Sequence, residues 1–161
     1  NAKLLLACVC ARQNRLDQAK ETLRGLGPID DPSMLIALGS VEAAMGMRDL
    51  AIDHLQTGLE GAVISVEERE HLQYLLAELN YQQGRFQEAL RCFRLAGSGE
   101  EPENGAPTDS MEALCLARID KVDDARALLG KTPKGEETDM VEELLDAEDL
   151  LRRLRREGYG F

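Results

Sequence analysis

Tryptophan is absent from this 161-residue chain, and Phe and Tyr contribute three residues each, so aromatic side chains make up only 4% of it. Runs of β-branched residues are few. Ala, Leu, Glu, Arg and Gln dominate instead, and these favour helices because their side chains lose little freedom there. That composition points to an all-α protein. Cations are scarce as well: 19 Lys and Arg stand against 30 Asp and Glu, a net charge of −11. A nucleic-acid backbone needs clustered positive charge, and so does an anionic membrane surface, so neither is an expected partner. No apolar run approaches the roughly 20 residues that cross a bilayer. The stretch KLLLACVCA (residues 3–11) is short and lacks a signal-peptide cleavage site.

Residue types that carry catalysis are equally sparse. His54 and His71 are the two histidines, and neither lies in an H-x-x-x-H or H-E-x-x-H context. Cys8 and Cys10 are one residue apart, which is not the C-x-x-C spacing of redox or zinc sites, and Cys92 and Cys115 stand alone. Free, partly buried thiols in a reducing, cytoplasmic compartment are the expectation. Glycine-rich phosphate loops and the G-x-S-x-G elbow are missing. The acidic pairs Glu67-Glu68 and Glu136-Glu137 sit at helix starts rather than facing one another across a cleft. No enzymatic activity, metal or cofactor is expected.

What the chain does have is repetition, the feature to look for first in a helical sequence. The stretch YQQGRFQEAL (81–90) superposes on AAMGMRDLAI (43–52), matching Gly84 to Gly46 and Ala89 to Ala51, with Phe93 on Leu55 and Ala96 on Gly58 further along. A third copy at 7–23 puts Asn14, Leu16, Ala19 and Leu23 in the same slots. A fourth at 113–129 supplies Val122, Ala125 and Leu129. The alanines 19, 51, 89 and 125 step by 32, 38 and 36 residues. Small groups at fixed spacing let two helices approach, and large groups fill the grooves beside them. Gly46 and Gly84 fall where a residue able to take positive φ ends the first helix of a pair.

On these residues the sequence resembles the tetratricopeptide-repeat family, whose period is about 34 residues. The third repeat matches best, through Ala77, Gly84, Phe86, Ala89, Phe93 and Ala96; the second follows through Leu38, Gly39, Gly46, Ala51 and Leu55, with Arg48 departing where an apolar group is expected. The resemblance implies a right-handed α-solenoid of about four helical hairpins, with repeats near 1–31, 32–65, 66–103 and 107–135. A capping helix and tail follow at 138–161. Nine helices are expected, near 2–13, 16–26, 32–45, 48–60, 66–83, 86–97, 109–118, 122–130 and 138–157. Asp31 before Pro32, Ser65 with Glu68 and Asp109 with Glu112 read as N-terminal caps. The segments 97–109 and 130–137 read as linkers, the first expected to be disordered.

The last helix differs in character. Met140, Leu144, Ala147, Leu151 and Leu154 form one apolar stripe, expected to cover the end of the array. Its first half is acidic (Asp139, Glu142, Glu143, Asp146, Glu148, Asp149) and its second basic (Arg152, Arg153, Arg155, Arg156), which complements the helix dipole.

In tetratricopeptide domains the first helix of each repeat lines a concave groove. Carried onto this chain, the groove positions fall on Arg12, Ile36, Ser40, His71, Tyr74, Glu78, Tyr81, Gln82 and Arg118. Tyrosine pairs a wide apolar face with a polar tip, which suits an interface. Co-chaperones of this family grip a terminal carboxylate with basic and amide side chains, but the matching positions here hold Leu4, Cys8, His71 and Leu75, so that clamp is missing. The expected function is a protein-interaction module or scaffold that binds a peptide or protein segment. The alternatives are a regulatory segment of a larger multidomain protein, or a homodimer formed through the last helix. Ala-, Leu- and Arg-rich usage hints at a bacterial source, and the chain is expected to begin inside a longer protein.

Overall fold

The computed structural model describes residues 2–97, 108–132 and 135–157, without the side chains of Glu137, Leu151, Arg152, Leu154 and Arg155. Among these residues there are nine helices and no strand: α1 (Ala2–Arg12), α2 (Leu16–Arg24), α3 (Pro32–Ala44), α4 (Arg48–Gly61), α5 (Val66–Gln82), α6 (Phe86–Ala96), α7 (Thr108–Arg118), α8 (Val122–Leu129) and α9 (Glu136–Arg156). The all-α expectation holds, with every helix end within two residues of its expected place. Most of the linker expected at 97–109, part of that at 130–137 and the tail from 158 lie outside the described residues.

One turn recurs four times. Asn14, Gly46, Gly84 and Asp120 all adopt positive φ, at 57°, 74°, 73° and 73°. In each turn the N–H of that residue donates to the carbonyl three back (Ala11, Ala43, Tyr81, Ala117), and the next N–H donates to the carbonyl five back (Cys10, Glu42, Asn80, Leu116). This is the Schellman ending of a helix, which satisfies its last carbonyls and turns the chain. The residue that follows opens the next helix at φ −92°, −83°, −84° and −109°. Five residues beyond each turn lies Ala19, Ala51, Ala89 or Ala125, all fully buried. The spacing read from the sequence is thus the spacing of a repeated backbone turn. Asp120 fills the fourth slot that composition alone did not mark, because its side chain is not glycine's.

The chain forms two compact units, Asn1–Leu79 and Asn80–Phe161, the division falling inside α5. In the first unit α1 packs on α2 and α3, and α3 packs on α4. The α3/α4 pair is antiparallel and close: a Cβ on Gly39 would stand 2.7 Å from Leu55 Cγ and 3.0 Å from the Ala51 carbonyl oxygen, and one on Gly58 would stand 2.7 Å from Ile36 Cγ1 and 2.8 Å from the Pro32 carbonyl oxygen. Asp31 caps α3, its carboxylate accepting from the Met34 N–H at 2.9 Å, and Ser65 caps α5 by accepting from the Glu68 N–H at 3.1 Å. Arg69 closes the other end of α4 by donating to the Leu59 and Ala62 carbonyls.

In the second unit α6 packs on α7, α7 on α8, and α9 on both α7 and α8. Two expectations fail here. Asp109 lies inside α7, which begins at Thr108, and its carboxylate accepts instead from the Thr132 hydroxyl at 3.0 Å. The buried face of α9 is not the stripe named from the sequence. Thr138, Val141 and Leu145 are buried, whereas Met140 and Leu144 are 64% and 49% exposed. The stripe and the packed face share the helix, and the periodicity alone could not say which one meets the body.

Candidate functional site

The second unit gathers two of the expected groove residues. Tyr81 ends α5 and Arg118 ends α7; Arg118 hydrogen-bonds Tyr81 and pairs with Glu148 of α9 at 2.9 Å. The Tyr81 hydrogen bond, helped by the charge of Glu148, raises the Arg118 pKa above its usual value, so the guanidinium stays charged. Its side chain is about half exposed. Tyr81 also meets Phe86 edge to face, ring centres 5.3 Å apart, a favoured aromatic geometry. The three other repeats place alanine in the slot of Tyr81, at Ala11, Ala43 and Ala117. The tyrosine therefore belongs to this repeat, not to the turn. Gln82 follows it, exposed.

Arg94 pairs with Glu112 at 3.2 Å in the same unit; burial pushes the Glu112 carboxyl upward while Arg94 opposes it. Burial and the neighbouring Glu112 push the Cys115 thiol up to about 12, which leaves it protonated and inert at neutral pH. All four cysteines are free, as expected.

In the first unit the expected residues are spread over three helices. Arg12 on α1 and His71 on α5 are exposed, and Tyr74 and Glu78 are half-buried. Ser40 spends its hydroxyl on its own helix, donating to the Ile36 carbonyl at 2.9 Å. Ile36 departs from expectation: it is buried in the α3/α4 seam, its Cγ1 where a Gly58 side chain would stand. A glycine opposite it pulls the two helices together and draws Ile36 under α4.

A second feature of the first unit was not marked by the sequence reading. Glu42 is buried at 5% exposure and its carboxylate lies 2.7 Å from His54 Nδ1, a geometry that suits an Nδ1–H donor to an accepting oxygen. The pair stands in the wall of a cavity of about 480 Å³ lined mainly by Leu23, Leu26, Leu35, Leu38, Met45 and Met47, with Lys20 and Arg24 also at its surface. The signal available was a Glu and a His twelve residues apart in the slots flanking a turn. Carboxylate and imidazole are bonded to each other and not set across a space from one another, so they do not form an opposed acid and base. Among the described residues no cluster of His, Cys, Asp or Glu is arranged to hold a metal ion, and no helix is long and apolar enough to cross a membrane.

No protein-family model matches the chain, and no curated protein matches it at a significant level.

Proposed function

We propose that the chain is an α-solenoid of tetratricopeptide type and serves as a protein-interaction module, holding a peptide or protein segment against its first helices. The observation that carries this reading is the Tyr81–Arg118 pair: an aromatic face and a charged, half-exposed guanidinium supplied by two first helices, on slots that the turn itself does not constrain. Arg118 offers a partner a donor for a backbone carbonyl or a carboxylate, and Tyr81 offers apolar area at low entropic cost. His71, Tyr74 and Glu78 on α5 extend the same chemistry within the first unit. Four free thiols fit a reducing, cytoplasmic setting. Neither catalysis nor a cofactor has a role in this reading.

The test is a pull-down from source lysate with the wild type beside a Tyr74→Ala, Tyr81→Ala variant of unchanged helicity. One polypeptide held by the wild type and lost by the variant supports the reading. Equal retention by both moves the binding face away from the first helices and sinks it.

A further inference from the structure

Helix α9 carries two apolar faces and uses one. Thr138, Val141 and Leu145 turn toward α7 and α8, and Val141 and Leu145 are almost fully buried. At about 100° per residue the Met140, Leu144, Ala147 stripe lies roughly 130° round the helix from that face. Met140, Leu144 and Ala147 are exposed, as is Leu150 beside them. By spacing, residues 151 and 154 continue the stripe, giving intervals of four, three, four and three residues, the repeat of a two-helix coiled-coil seam. The described part of it, Met140, Leu144 and Ala147, is turned outward and is expected to be covered, since exposed apolar patches mark association surfaces.

Charge selects the occupant. The half of α9 from Glu136 to Asp149 is acidic, with Glu136, Glu137 and Glu143 at positions bordering or extending the stripe, and the half from Arg152 to Arg156 is basic, with Arg155 at a bordering position. A parallel copy of the same helix sets acid against acid. An antiparallel copy sets each basic half against an acidic one. The small Ala147 then falls near the two-fold axis, where it permits close approach. We propose that α9 is a self-association helix, through which two copies of this chain pair antiparallel along the 140–154 stripe. This goes beyond the peptide-binding reading and uses none of its residues. The seam is short, about 21 Å at 1.5 Å per residue, so a small interface and a dimer of about micromolar strength are expected.

Sedimentation equilibrium over roughly 1–100 µM should show a monomer–dimer equilibrium for the wild type. Leu144→Glu should abolish the dimer without loss of helical circular dichroism. If that variant loses helicity, a Met140→Gln, Leu144→Gln pair, which adds no charge, asks the same question. Arg155→Glu should weaken the dimer several-fold, while Arg91→Glu, the same change of net charge at an exposed position of α6, should not. A wild type that stays monomeric throughout overturns the proposal. So does a dimer that survives Leu144→Glu and is lost with Leu5→Glu on α1, whose side chain is also exposed. An Arg155→Glu effect equal to that of Arg91→Glu removes the antiparallel pairing.

Discussion

The α3/α4 and α7/α8 hairpins turn through the same backbone motif and bury an alanine at the same place, yet they are held together by different means. Between α3 and α4 the slot four residues before the turn and the slot eight after it hold Glu42 and His54, a buried carboxylate hydrogen-bonded to a partly exposed imidazole. Between α7 and α8 the same slots hold Leu116 and Leu128. The first and third repeats fill them with Cys10 and Thr22, and with Asn80 and Cys92. Four repeats thus test one position with four chemistries. The turn and its alanine fix where the helices meet, and the slots beside them are free to vary. The Glu42–His54 pair is therefore not something the turn demands, since the other three turns form without it.

The largest expected effect breaks that comparison at its polar member. Glu42→Ala removes the hydrogen-bond partner of a partly exposed imidazole and opens the wall of the cavity, and should cost about 1–3 kcal/mol in urea unfolding. Replacing both residues by the fourth repeat's pair, Glu42→Leu with His54→Leu, should be neutral or stabilising, because a well-packed apolar pair leaves neither polar group without its partner. A double variant as unstable as the single one would mean that the hydrogen-bonded pair has a structural task the other repeats lack.

Next in size within the same hairpin is its close approach. Seven residues before each turn the other repeats carry Ala7, Ala77 and Ala113, all fully buried, whereas the second repeat carries Gly39. Gly39→Ala copies its neighbours and gains about 1 kcal/mol of helix propensity. It also drives a methyl to within 2.7 Å of Leu55 and 3.0 Å of the α4 backbone. Overpacking costs about 1–3 kcal/mol, so a net loss on the order of 1 kcal/mol is expected. A stabilised variant would show that α3 and α4 separate freely and that the glycine is incidental.

What the sequence could reveal follows the same division. The turn was legible at Gly46 and Gly84, because positive φ selects glycine, and at the four alanines, because close contact selects a small side chain. Asn14 was legible by alignment. Ile36 was misplaced because its exposure depends on how near α4 comes, which is set by Gly58 on another helix. The packed face of α9 was misread for a related reason: Met140 and Leu144 make the more regular stripe, but the body of the second unit chose Val141 and Leu145. Glu42 and His54 were invisible as a pair, since their meeting depends on the antiparallel register of two helices.

The second unit has its own lever, which is alkaline pH. The Cys115 thiol is held near 12 by burial and by Glu112, against about 8.5 for a free thiol. A pKa raised on folding contributes stability that is intact below the unfolded value and lost as pH climbs toward the folded one. Between pH 9 and 11 the wild type should therefore lose stability, by an amount on the order of 2 kcal/mol at pH 10. Cys115→Ala should flatten that part of the profile. Cys92, raised in the same direction by burial, leaves a smaller residue of the effect. An unchanged slope in the variant would mean that the thiol ionises without opening the unit.

The smallest effect separates the two hairpins at the turn itself. Gly46 and Asp120 both hold φ near +74°, but only one is glycine. Left-handed φ costs an ordinary L-residue about 1–2 kcal/mol, and Asp pays less because it tolerates this region better than most side chains. Asp120→Gly relieves that strain and at the same time gives the unfolded chain more freedom, which costs about 0.5–1 kcal/mol. The two backbone terms oppose and nearly cancel, so any loss of unfolding free energy beyond about 0.5 kcal/mol would report the contacts of the aspartate side chain. Gly46→Ala runs the same two terms in reverse, with the full strain of an alanine at positive φ; the space around its Cβ is open, so its net loss of about 1 kcal/mol would report the backbone alone. If Asp120→Gly instead lost as much as Gly46→Ala, the aspartate side chain would be bonding the turn it sits in. The fourth hairpin would then rest on a local contact that its glycine counterparts do without.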